Sequence, residues 1–153
     1  MSAALVAPAP PAPHQLHRMA TKLGYAGLAP FVLGALLSLM VREDAHPYVV
    51  LGLAAYATAI LSFLGGIHWG LAMRAEAIEP QAYVWGVVPT LVAAIAVLMP
   101  AYAGLVIDGV MLIACYLVDR KVYPRHGLSS WLTLRFRLTV VATLACFLAA
   151  ASA

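Results

Sequence analysis

Five apolar runs, at approximately residues 23–41, 48–73, 83–99, 101–118 and 131–151, occupy most of the chain. Each approaches the ~20 residues that an α-helix needs to cross ~30 Å of hydrocarbon. In a bilayer such a segment must satisfy its own backbone polar groups, and for runs of this length that means helix. The expected fold is therefore all-α: a polytopic membrane protein built as a bundle of five transmembrane helices. Apolar residues make up 64% of the 153 and charged residues only 10%, which excludes an ordinary soluble domain.

Prolines punctuate the runs. Pro47 suits the first turn of the second helix, Pro80 precedes the third, Pro100 separates the third from the fourth and Pro124 follows the fourth. Pro30 and Pro89 fall inside helices one and three, where kinks are expected. Residues 1–20 carry Pro8, Pro10, Pro11 and Pro13 and read as a disordered Pro/Ala-rich tail, leaving 21–153 as the membrane domain. The tail lacks the basic start and unbroken apolar core of a signal peptide, and the Arg and Ser content of a transit peptide.

Nine basic residues outnumber six acidic ones. Because they lie between the apolar runs, lipid headgroups are the expected partner, and nucleic acid is not. With a cytoplasmic N-terminus, that side holds Arg18, Lys22, Arg74, Arg120, Lys121, Arg125, Arg135 and Arg137, leaving Arg42 opposite. This asymmetry follows the positive-inside rule and places the C-terminus outside. Arg120, Lys121, Arg125, Arg135 and Arg137 read as headgroup contacts, the last two by snorkelling from the start of helix five.

The second helix carries the densest packing signal. Ala54, Thr58, Ser62, Gly66 and Gly70 recur every fourth residue and read as a ridge of small side chains against which another helix can close. Ala26, Pro30, Gly34 and Ser38 form a matching row on helix one.

The segment from Ala59 to Met73, with its Ser-Phe-Leu-Gly-Gly-Ile-His-Trp-Gly run, resembles the transmembrane protein 69-like family of small membrane proteins, a domain of unknown function. Leu23-Gly-Tyr-Ala-Gly-Leu-Ala-Pro-Phe31 and the spacing of the other spans support the likeness over roughly residues 21–150. The resemblance implies five helices in a bacterial inner or mitochondrial inner membrane, with the bacterial membrane favoured by the short tail. It implies no activity and no catalytic residues.

Asp108 is the acidic residue set deepest in an apolar run. It is either a proton- or ligand-binding carboxylate facing the bundle interior, with Tyr56, Thr58, Thr90 and Thr143 at similar depth, or a residue of the outer interface. His68 reads as an interhelical hydrogen-bonding residue, with a ligand or quinone contact as the alternative. Counted from the outer helix ends, His68 lies ~28 Å and Asp108 ~10 Å deep, so the two belong to different layers. His68 and Trp69 share a level with Tyr25, Tyr83, Trp85, Tyr116 and Trp131, which is either an interfacial aromatic belt or an aromatic-walled pocket for a flat ring.

Cys115 and Cys146 lie in separate runs without ligand spacing, so neither a metal site nor a disulfide is expected. No phosphate loop, catalytic triad order, paired catalytic carboxylates or His-x-x-x-His pair is present, and no cofactor is indicated. The expected function is non-enzymatic: a scaffold, assembly factor or accessory subunit of a membrane complex with another membrane protein as partner. The alternative is a binder or transporter of a quinone, tetrapyrrole or lipid-like molecule using His68 or Asp108. A third reading is proton or ion translocation through Asp108.

Overall fold

The computed structural model describes residues 13–75 and 80–153, with side chains placed from His17 onward. Among the described residues there is no strand, and six α-helices are present: α1 (Pro13–Ala26), α2 (Ala29–Met40), α3 (His46–Arg74), α4 (Pro80–Leu98), α5 (Ala101–Val122) and α6 (Leu132–Ala151). They supply five segments long and apolar enough to cross a membrane, His17–Met40, His46–Arg74, Pro80–Leu98, Ala101–His126 and Ser129–Ala151. α3 is central, packing most extensively against α4 and also against α2 and α5, while α6 packs against α5 and α2.

The first span differs from the expected single kinked helix. It is two helices separated at Gly27 and Leu28, with Pro30 in the opening turn of α2, where its missing N–H leaves no bond unmade. Tyr56 donates its hydroxyl to the Gly27 carbonyl at 2.8 Å, so α3 caps the break. α1 begins at Pro13, which makes residues 13–20 of the expected tail helical; residues 1–12 of that tail lie outside the described residues. Pro89 does lie inside a helix and faces the core.

The packing ridge on α3 is corrected by the helix's own period. A row of residues four apart advances 400° per step, so it drifts about 40° around the helix each time. Ala54 is therefore buried, Thr58 and Ser62 are partly buried, and Gly66 and Gly70 have turned outward. A Cβ at either of those two glycines would meet nothing within 4 Å. The buried seam instead alternates steps of three and four, through Ala54, Ala57, Leu61, Leu64, Gly65, His68 and Ala72. Gly65 makes the close helix contact: an added Cβ there would fall on the Gly86 carbonyl of α4.

α5 runs one turn past its expected end and takes in Asp119. The turn that follows reverses at Gly127, whose φ of 69° is a left-handed conformation suited to glycine. Two short 3₁₀ turns, Tyr123–His126 and Ser129–Trp131, then lead into α6 and bring its first turns alongside the end of α5.

Candidate functional site

The added turn of α5 creates the most charged site in the bundle. Asp108, Leu112, Cys115 and Asp119 succeed one another at spacings of four, three and four, so Asp119 continues the buried face of α5. His68 reaches it from α3 and Arg135 from the first turn of α6. The His68 Nε2–H donates to Asp119 Oδ1 at 2.9 Å, and the Arg135 Nε–H donates to Asp119 Oδ2 at 2.8 Å, with Nη2 2.7 Å from the same oxygen. A carboxylate only accepts, which assigns the Nε2 proton to His68. The side chains of His68 and Asp119 are each 3% exposed and that of Arg135 is 11% exposed. One carboxylate thus joins three helices, and its charge is matched by the guanidinium.

Arg135 is accordingly not a headgroup contact: its stem points into the bundle, because a buried carboxylate competes better for a guanidinium than the lipid surface does. Arg120, Lys121, Arg125 and Arg137 remain exposed, and Arg137 Nη1 donates to the Tyr25 hydroxyl at 3.2 Å.

A groove of about 580 Å³ opens beside this cluster. Its walls come from the α1–α2 break at Gly24, Gly27 and Leu28, from Ile60, Phe63 and Ile67 of α3, and from Leu134, Leu138 and Ala142 of α6. Leu23 and Phe63 on its rim are exposed, so it faces the surrounding membrane rather than the bundle axis. Tyr123, Trp131, Arg135 and Thr139 are its polar-tipped lining residues. Thr139 is 5% exposed, yet its hydroxyl has no hydrogen-bond partner, and Arg135 Nη2 has only the ionic contact.

His68 does not line the groove, and of the two arrangements open to the aromatic residues of its level, an interfacial belt or an aromatic-walled pocket around the imidazole, the pocket is not formed. The aromatic residues of that level disperse into pairs: Trp69 with Tyr83 at 5.6 Å, Tyr116 with Phe136 at 5.6 Å and Trp131 with His17 at 4.4 Å between ring centroids. Trp69 also donates its indole N–H to the Tyr83 carbonyl at 2.9 Å, closing the α3–α4 contact.

Asp108 faces the interior and is fully buried, at 0% exposure. Neither of its oxygens has a hydrogen-bond partner. Thr58 lies alongside, but its hydroxyl is likewise unpartnered. Tyr56 is engaged at the Gly27 carbonyl, Thr90 is exposed, and Thr143 points at the Gly109 carbonyl at 3.5 Å, so these three do not gather around the carboxyl. Cys115 and Cys146 are buried free thiols, and among the described residues no cluster of metal-ligating side chains occurs.

The signal for the charge cluster was present in the sequence but masked by its setting. Asp119 stands directly before Arg120 and Lys121, a context that reads as loop, whereas its spacing from Asp108 places both on one helix face.

These features define a multi-pass helical membrane protein with an internal charge cluster at one end of its bundle and a membrane-facing groove beside it. The chain belongs to the family described as "Protein of unknown function (DUF3429)", which matches residues 16–151. It is 38% identical over 130 residues to Transmembrane protein 69 of Xenopus tropicalis, an alignment covering 78% of this chain and 49% of the relative. The chain thus spans about half the length of that relative. No solved structure matches it.

Proposed function

We propose that this chain is a non-catalytic membrane protein of a bacterial inner membrane that binds an amphipathic, membrane-soluble small molecule in the groove between α1–α2, α3 and α6. The observation that carries this reading is a lateral apolar groove of about 580 Å³ whose lining includes a buried, unpartnered hydroxyl at Thr139. Ligand sites are of this size and kind, mostly apolar with a few convergent polar groups. An unpartnered buried hydroxyl costs about 1–3 kcal/mol, which a ligand acceptor would offset.

The test is native mass spectrometry of the protein extracted from its own membrane in mild detergent, beside a Leu138→Trp variant whose indole fills the groove. The expected result is a discrete small-molecule mass on the wild type and its absence from a folded variant. Equal retention of that mass by both proteins would overturn the assignment to the groove.

The accessory-subunit reading is supported by a different surface. Gly66 and Gly70 stand open on the outward face of α3 beside the exposed Phe63 and Met73, the kind of small-residue face on which a partner helix can lie. A second protein chain at fixed stoichiometry in the same spectra, lost on Gly66→Leu, would favour it.

A further inference from the structure

We infer that the groove selects a neutral head bearing a carbonyl acceptor, as in an isoprenoid quinone or an acyl ester, and disfavours an acid. This rests on the binding reading above and specifies its ligand. Arg135 and Thr139 stand one turn apart on α6 and both line the groove. A guanidinium has five N–H donors, and Asp119 Oδ2 is met only by Nε and Nη2. The Tyr123 hydroxyl also stands beside the guanidinium, which still leaves N–H groups for a ligand, and the Thr139 hydroxyl adds another donor.

The charge balance decides what they accept. Arg135 lies within 2.8 Å of a carboxylate that is itself only 3% exposed, so the positive charge is already neutralised at contact distance. The bond from His68 to Asp119 uses one ring proton, so a neutral imidazole satisfies it, and with the imidazole in that form the three groups sum to zero. A carboxylate or phosphate head would lose its hydration in the apolar groove without meeting a net positive charge, and would stand near Asp119 as well. A carbonyl loses far less than a charged head on leaving water and can accept from the unpartnered Thr139 hydroxyl and the spare guanidinium N–H groups.

Decylubiquinone, dioleoylglycerol and oleate are suitable probes, added in competition to the full chain in detergent and read by native mass spectrometry. The wild type is expected to take decylubiquinone or dioleoylglycerol over oleate by about tenfold or more, the ratio between those two separating ring from ester carbonyls. Asp119→Asn leaves Arg135 unbalanced and is expected to reverse the order in favour of oleate. Thr139→Val is expected to weaken the neutral probe by about fivefold, the loss of one ordinary hydrogen bond. Should Asp119→Asn fail to fold, the wild-type order and Thr139→Val decide alone. A wild type that prefers oleate overturns the inference and leaves the groove a binding site. A wild type that binds none of the three probes, and carries no mass of its own, overturns both.

Discussion

Removing the Asp119 carboxylate leaves the Arg135 guanidinium inside the bundle with nothing to balance it, whereas removing both leaves an apolar gap between α5 and α6. The two changes differ sharply in energy, because breaking a buried ion pair from one side costs about 3–5 kcal/mol while apolar replacement of the pair is often neutral. Asp119→Leu is therefore expected to lower stability by about that amount, and the double variant Asp119→Leu with Arg135→Leu to recover most of it, as read by unfolding in detergent. If the double variant is no more stable than the single, the pair does not act as a unit. Asp108 behaves in the opposite sense. Both its oxygens lack partners, so Asp108→Leu is expected to raise stability by about 1–3 kcal/mol in the isolated protein. A loss instead would mean that the carboxyl holds a group when the protein is folded.

At the scale of elements, the central contact is α3 on α4, and it turns on which of two adjacent glycines faces the partner. A Cβ at Gly65 lands on the Gly86 carbonyl, while one at Gly66 meets nothing within 4 Å. Gly65→Ala is expected to destabilise the bundle by about 1–3 kcal/mol through overpacking. Gly66→Ala should instead be neutral or gain up to about 1 kcal/mol from helix propensity, and thermal unfolding of the two side by side decides it. The number of spans, their approximate ends and the crowding of small residues on α3 were legible from composition and length, because hydrocarbon thickness dictates run length. A four-residue repeat does not mark the buried face, because a 3.6-residue helix carries such a row from the core at Ala54 to the outside at Gly70. The break between α1 and α2 was hidden for a related reason. Pro30 signals a disruption without saying whether a neighbour will cap it, and the capping hydroxyl, Tyr56, lies 29 residues away. Tyr56→Phe removes that cap and is expected to lower stability by about 1 kcal/mol in the same unfolding measurement.

Over the whole molecule the charges divide between two ends. Arg18, Lys22, Arg74, Arg120, Lys121, Arg125 and Arg137 are exposed at the end that holds the start of the first span and the α5–α6 turn. The other end shows Arg42, paired at 3.5 Å with Asp44, so its charge is locally cancelled. The fifth Lys or Arg of the α5–α6 region, Arg135, is neutralised by Asp119, and its withdrawal into the bundle leaves the asymmetry intact. Positive charge resists translocation, so the basic end should face the cytoplasm and the α2–α3 turn the outside. With Cys115 and Cys146 buried, single cysteines introduced as Ser130→Cys and Asp44→Cys test this directly with a membrane-impermeant maleimide on intact cells. Asp44→Cys is expected to label at once and Ser130→Cys only after permeabilisation; the reverse pattern would invert the topology. The outcome also places the groove. Arg135 and Thr139 lie in the first turns of α6, at the basic end, so a head bound there would sit in the cytoplasmic half of the bilayer with its tail running towards the centre.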